Sequence, residues 1–412
     1  MIFDLALGGH HGNYIRHLLE FWCDRNLPGS LDIVVLPQFL KVHSEVADRI
    51  AELQHSKIRL VTVTAKEEAS LGDRKASINR TIRNFQEWKL FSKYAAALQA
   101  NHALLMYLDT CELPLTFGMG SPCPFSGIYF RPTFHYGGFS NHIPSRQEKL
   151  QQLREKFALN RILHHRQMRT LFCLDPFAAK YIEQWQHNKT VVHLPDPVVT
   201  DTIPSLDSKY LRERLGIDGD RKIFLFFGAL DGRKGIDQLL DAISLLPNSL
   251  CEQLCLLLVG ATGVAEKAAI QAKIESLCET QPVQIVEHYD YVPESEVSAH
   301  FQLADVVLAP YQRHVGMSGI LLLAAAAGKP VLSSNYGLMG EIVRRYQLGI
   351  AVDSTIPAEL ARGLTRCLVE PLEELGDRAQ MQVFAEQNSV DRYASTIFQH
   401  LDLTETNQVM KH

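Results

Sequence analysis

Short apolar runs alternate with longer stretches of helical spacing along this chain, and the whole pattern occurs twice. A run of four to six apolar residues suits a strand buried on both faces. Such runs separated by amphipathic stretches mark a parallel sheet flanked by helices. In the first half, Ile2–Leu7, Asp32–Leu36, Ile58–Thr64, Ala103–Leu108, Gly127–Phe130 and Val191–Leu194 read as strands. Helical patterns fill Asn13–Arg25, His43–Gln54, Ile78–Ala100, Gln147–Leu159 and Pro176–Gln186. Pro195 and Pro197 then flank Asp196, and two prolines in three residues forbid continuous helix or central strand.

Past that break the pattern restarts. Lys222–Phe227, Leu254–Val259, Gln284–Glu287, Val306–Ala309 and Val331–Ser333 read as strands. Gly235–Leu246, Glu266–Thr280, Ser295–Leu303, Gly319–Ala327, Met339–Tyr346, Ile356–Glu370 and Val390–Leu401 read as helices. The expectation is an α/β chain of two doubly wound Rossmann-like domains. Residues 1–200 form the first and residues 201–385 the second. Residues 386–412 form a C-terminal helix and tail expected to pack back on the first.

Charge separates the halves. Residues 1–200 hold 23 Lys+Arg and 18 Asp+Glu, a balance of +5; residues 201–412 hold 18 and 28, a balance of −10. The chain is acidic overall and no basic stripe is interleaved with aromatics, so nucleic acid is not expected as a partner. The most apolar stretch, Gly319–Ala327, is about half the ~18 residues a membrane span needs. The N-terminus has no basic region and carries Asp4, which argues against a signal peptide and for the cytoplasm. Eight scattered cysteines without a Cys-x-x-Cys read as reduced core residues, not a zinc site.

Ligands of doubly wound sheets sit beyond the carboxyl ends of the strands, and with two domains the expected place is the cleft between them. Gly8-Gly9-His10-His11-Gly12 follows the first strand and opens a helix. Its glycines free the backbone to approach an anionic or sugar ligand, and it lacks the Gly-x-Gly-x-x-Gly of nicotinamide enzymes. Gly228-Ala229-Leu230-Asp231-Gly232-Arg233-Lys234-Gly235 follows Phe227; its adjacent cations at a helix start suit a pyrophosphate. Gly316-Met317-Ser318-Gly319 opens the apolar helix and offers amides as an anion cradle, with Ser318 also the expected N-cap. Asp109, Arg131 and His135 follow first-half strands and are candidates to meet an acceptor hydroxyl or a leaving phosphate. Asp218-Gly219-Asp220 precedes a strand and reads as a turn rather than a metal site.

The segment Phe224–Asp353 resembles the nucleotide-sugar domain of retaining GT-B glycosyltransferases of the family 4 (group 1) type. The matching pieces come in order. They are Phe227–Asp237, Leu256-Leu-Leu-Val-Gly260, Tyr291-Val-Pro-Glu-Ser-Glu296, Ala304–Pro310, Gly328-Lys-Pro-Val-Leu332 and Gly340-Glu-Ile-Val343. The resemblance implies a GT-B fold with two facing domains and an interdomain cleft. It implies metal-independent transfer, with retention, from a nucleotide-diphosphate sugar to a hydroxyl acceptor such as a glycan, glycolipid or small molecule. No cofactor is expected to be permanently bound. The donor residues implied are Gly8, Gly9, Gly228, Arg233, Lys234, Tyr291, Val292, His314, Gly316, Met317, Ser318 and Gly319. The catalytic residues implied are Arg131, His135 and His10.

Two departures accompany it. The family's Gly-Arg-Leu is Gly228-Ala229-Leu230 here, and its two glutamates fall by register on Val315 and Leu323. Neither side chain accepts a hydrogen bond, so His314 is the expected polar replacement. The same loss leaves open a GT-B protein that binds without transferring, or an epimerase-like enzyme on the same fold. Basic amphipathic stretches at 74–93 and 146–169 suggest peripheral contact with an anionic membrane face, against the plainer reading of solvated helices.

Overall fold

The computed structural model describes residues 1–8, 11–53, 57–72, 77–139, 144–199, 208–290 and 292–401. The chain divides into two compact units. One comprises Met1–Gly137, Pro144–Pro197 and the segment from Val390 on; the other contains Val198–Ser389.

The first unit is built on seven parallel strands. They are β1 (Ile2–Phe3), β2 (Leu31–Val35), β3 (Ile58–Thr62), β4 (Ala103–Leu105), β5 (Phe125–Tyr129), β6 (Met168–Cys173) and β7 (Thr190–His193). Their order is β3-β2-β1-β4-β5-β6-β7. The second unit has six parallel strands: β8 (Lys222–Phe227), β9 (Leu254–Val259), β10 (Gln284–His288), β11 (Val306–Ala309), β12 (Val331–Ser334) and β13 (Gly349–Val352). Their order is β10-β9-β8-β11-β12-β13. Each sheet starts in its middle, builds one edge, then crosses to the other side. The switch points lie beside β1 and β8, which places the glycine turns after those strands where such sheets bind ligands.

Several short helices and three larger elements escape the sequence reading. The basic run at 146–169 is two elements: a helix, Arg146–Leu163, and the start of β6. Ser145 and Glu148 cap that helix reciprocally, with Glu148 N donating to Ser145 Oγ (3.2 Å) and Ser145 N to Glu148 Oε2 (2.7 Å). In β6, exposed Arg169 beside the basic helix masks a strand that is otherwise buried. Strand β13 begins at Gly349 (φ +151°), where an added Cβ would lie 2.1 Å from the Val331 carbonyl oxygen. The close approach of β12 demands the glycine that lowers the segment's apparent strand character. The third is the Arg378–Gln387 helix, whose N-cap Asp377 accepts from Ala379 N (2.8 Å) and Gln380 N (3.1 Å). It packs against Gly319–Ala326, the apolar helix, whose residues are mostly buried.

The C-terminal helix, Val390–His400, belongs to the first unit. Tyr393 meets Tyr14 (ring centroids 5.3 Å apart), and Phe398 stacks on Phe21 and meets Trp22 edge-on. Six of the eight cysteines are buried. Among the described residues no helix is long and apolar enough to cross a membrane.

Candidate functional site

In the second unit the turn after β8 wraps around one lysine. Gly228 (φ +97°) allows that: an added Cβ would lie 2.3 Å from Lys234 Nζ. Lys234 is only 8% exposed. Its ammonium donates to the Phe227 carbonyl (2.8 Å) and lies 5.3 Å from the centre of the Tyr311 ring. Among the described residues no carboxylate pairs with it. Burying an ammonium without a counter-ion is costly, and the cost falls sharply when an anion arrives.

Neighbouring groups hold this turn. Asp231 accepts from Lys234 N (3.1 Å) and lies 3.4 Å from Arg233 Nη2; the Arg233 guanidinium sits 6.0 Å from the Tyr311 ring centre. Gly235 (φ +81°) has no room for a Cβ, which would fall 2.1 Å from the Pro310 carbonyl. Gln312 N donates to the Arg233 carbonyl (2.9 Å), tying the segment after β11 to the turn after β8. Gly260, after β9, is packed so tightly on Gly228 that a Cβ would lie 2.2 Å from its carbonyl oxygen.

The segment after β11 carries five more of the expected donor residues. His314 meets the Tyr311 ring edge-on (5.3 Å), and its Nε2 lies 3.3 Å from the Met317 carbonyl. Gly316 takes φ +94°, and half-buried Met317 leads into buried Ser318. Ser318 occupies the N-cap of Gly319–Ala326, but its side chain makes no capping bond. That corrects the expected capping role. Within the helix the Gly319 and Ile320 amides have no carbonyl to meet, so the cradle survives without the cap. Val315 and Leu323 are both half-buried, and Val292 is buried. Tyr291 lies outside the described residues.

Sequence reasoning missed Tyr311, the platform for both cations, and His300. The His300 ring, 1% exposed, lies beside Phe227 and His288 at the ends of β8 and β10. Its Nδ1 donates to the Glu296 carbonyl (2.9 Å), and its buried Nε2 has no partner among the described residues. Burial lowers its pKa. No motif surrounds it, so nothing but position could have found it.

In the first unit, Gly8 lies in the turn after β1 with nothing within 4 Å of an added Cβ, while Gly9 and His10 lie outside the described residues. The next residue, His11, is the one the fold engages. Its Nδ1 is 2.6 Å from Asp4 Oδ2, and Asp4, 2% exposed, also accepts from Ala6 N (2.9 Å). A carboxylate on Nδ1 fixes the tautomer and leaves Nε2 as an acceptor. The His11 ring stacks on Phe130 (5.9 Å) and meets Tyr107 edge-on (5.6 Å).

Asp109 is a positioning group: it accepts from Phe130 N (3.0 Å) and Arg131 N (3.1 Å), fixing the turn that carries exposed Arg131. Burial raises its pKa to about 6. Nearby Glu112 is raised to about 8 by burial, with Asp109 and Glu155 adding repulsion. His135 is not at the surface. It is 5% exposed, and its Nε2 is 2.9 Å from Asp175 Oδ2, which is fully buried. Asp175 also caps the Pro176–Ile182 helix, so the pair anchors that helix to the core.

Residues 207–392 match the family model described as glycosyl transferases group 1. The matched residues span most of the second unit. The lipopolysaccharide glucosyltransferase WaaG of Escherichia coli K12 is 33% identical over 141 residues, which are 34% of this chain and 35% of WaaG. The D-inositol 3-phosphate glycosyltransferase of Thermomonospora curvata is 28% identical over 164 residues, 39% of this chain and 38% of that protein. The chain thus spans little more than a third of the length of these curated relatives. The solved structure of Anabaena HepE in complex with UDP-glucose matches with a TM-score of 0.65 at 14% identity, covering 98% of this chain and 99% of that one. That likeness establishes the fold as GT-B.

Proposed function

We propose that the protein is a glycosyltransferase that moves a sugar from a nucleotide-diphosphate sugar to a hydroxyl acceptor, using no essential metal. Lys234 carries this reading: a buried ammonium with no carboxylate partner among the described residues, after β8, beside Arg233 and above Tyr311. The two cations supply the charge that a leaving diphosphate needs, and the Gly319 and Ile320 amides add donors. Retention, drawn from the resemblance, puts attack and departure on one face of the sugar. The acceptor oxygen bonds to the anomeric carbon as the bond to the diphosphate oxygen breaks. The electron pair leaves with the diphosphate, and the hydroxyl proton passes to its departing oxygen. His11 Nε2 accepts from a sugar or acceptor hydroxyl, the role that sequence reasoning gave to His10 and His135. Arg131 contacts the acceptor.

The acceptor is proposed to be lipid-linked. On the Arg146–Leu163 helix Leu150, Leu153 and Phe157 are 62%, 64% and 63% exposed, beside Lys149, Arg154 and Arg161. A basic helix with exposed apolar residues suits an anionic membrane surface.

The test is thermal stabilisation by UDP, GDP, ADP, TDP and their sugars, beginning with UDP-glucose, the HepE ligand. A shift with one base, lost in Arg233→Ala/Lys234→Ala, supports the reading. No shift at millimolar nucleotide overturns it. Apolar Val315 and Leu323 favour a second reading, binding without transfer. Nucleotide-sugar stabilisation with no release of nucleoside diphosphate across an acceptor panel would select it.

A further inference from the structure

A cavity of about 750 Å³ lies away from the strand ends just described. Asp305 precedes β11, Pro330 precedes β12 and Gly349 opens β13, so the cavity lies at the amino ends of these strands. Strands of four residues at ~3.3 Å each put it roughly 13 Å or more from the Lys234 turn, within the same unit.

Its charges are sorted. Lys329, half-buried, and Arg378 have no ion-pair partner among the described residues. Arg378 lies against the residue before Lys329: its Nε would be 3.1 Å from a Cβ placed on Gly328. Arg344 lines the same cavity, held by Glu341 through Nη2 (2.7 Å). Two of the lining carboxylates are already used: Asp305 Oδ2 accepts from Ile223 N (2.8 Å) and Asp377 caps its helix. Glu373 and Glu374 are exposed, and neither forms an ion pair among the described residues. Leu375 and Met381 supply apolar surface.

We propose that this cavity is a second binding site, for a phosphorylated sugar. Lys329, Arg378 and Arg344 take the phosphate, to which charged donors bind strongly. Glu373 and Glu374 accept from sugar hydroxyls, and the apolar wall covers the ring's C–H face. The volume falls within the range of small-molecule pockets. The site is separate from the nucleotide-sugar site of the same unit and does not depend on the reading given to that site.

Isothermal titration with glucose 6-phosphate in the presence of saturating UDP tests this on the full chain. The expected result is binding that UDP does not displace, at least about tenfold tighter than inorganic phosphate, with none for glucose. Lys329→Ala/Arg378→Ala should weaken it by about tenfold or more, the loss expected of charged hydrogen bonds. Lys234→Ala should leave it unchanged. Glu373→Gln/Glu374→Gln, exposed and tolerant of change, should keep phosphate binding and lose the preference for the sugar. The proposal is overturned by no binding at millimolar ligand, by displacement with UDP, by loss in Lys234→Ala, or by inorganic phosphate binding as tightly as the sugar phosphate.

Discussion

Gly228 and Lys234 hold their places together. The glycine has no Cβ, and the ammonium occupies the space a Cβ would need, 2.3 Å away. Gly228→Ala must therefore move the lysine and strain a left-handed backbone, which costs about 1–2 kcal/mol for a non-glycine residue. The expected result is a UDP dissociation constant raised at least about tenfold with a modest fall in thermal midpoint. Unchanged UDP affinity would mean that the ammonium does not meet the diphosphate. A different residue governs pH. Burial lifts Glu112 to about 8 and Asp109 to about 6, so between the unfolded carboxylate range and these values the folded chain holds protons the unfolded chain lacks. Stability from these groups is complete below the unfolded range and is lost as pH rises through about 8. Glu112→Gln stays neutral throughout. Urea titrations should show a flatter decline from acid to alkaline pH and a variant more stable than wild type in alkali. Arg233 and Lys234 were legible as a pair of cations because they adjoin in sequence at a strand end. Asp4 and His11 were not read as a pair, because seven residues and a turn separate them and nothing local shows the carboxylate turning back. His135 misled for the same reason: its partner Asp175 is forty residues on, and a strand-end position does not reveal depth.

Elements were most legible where apolar runs were uninterrupted, as in Lys222–Phe227 and Leu254–Val259, whose bounds match the strands. They were least legible where one residue answers a tertiary need, as Gly349 does in β13. The C-terminal helix shows what packing adds to periodicity. Its buried face, Tyr393, Ala394, Ile397 and Phe398, completes the first unit from the far end of the sequence. Each large side chain buried there contributes roughly 1.5–3 kcal/mol. Truncation after Ser389 should therefore lower the first unit's urea midpoint sharply, read by its tryptophans, while leaving UDP binding intact. Equal loss of both would deny the helix its place in one unit. The Arg146–Leu163 helix makes a surface prediction. Leu153→Glu/Phe157→Glu replaces exposed apolar side chains, so folding should be unchanged. Sedimentation with vesicles of anionic phospholipid at low salt should fall several-fold. Wild-type protein that does not sediment at all would remove the membrane from the proposal.

Across the whole molecule, two units with separate hydrophobic cores imply two cooperative transitions, and the sequence supplies a way to tell them apart. All three tryptophans, Trp22, Trp88 and Trp185, lie in the first unit. Trp22 and Trp88 are almost fully buried there, so fluorescence reports the first core, whereas far-ultraviolet circular dichroism reports helices of both. The proposed nucleotide ligands, Arg233 and Lys234, belong to the second unit. Mass action stabilises what binds: at a hundredfold excess over the dissociation constant a ligand adds about 2.7 kcal/mol to the unit that holds it and nothing to one that does not. UDP should therefore displace part of the circular dichroism transition in urea to higher denaturant and leave the tryptophan transition where it was. A tryptophan transition that moves with UDP in step with the dichroism would mean that the two cores unfold as one. The stabilisation would then have to be divided over the whole chain rather than assigned to the turn after β8.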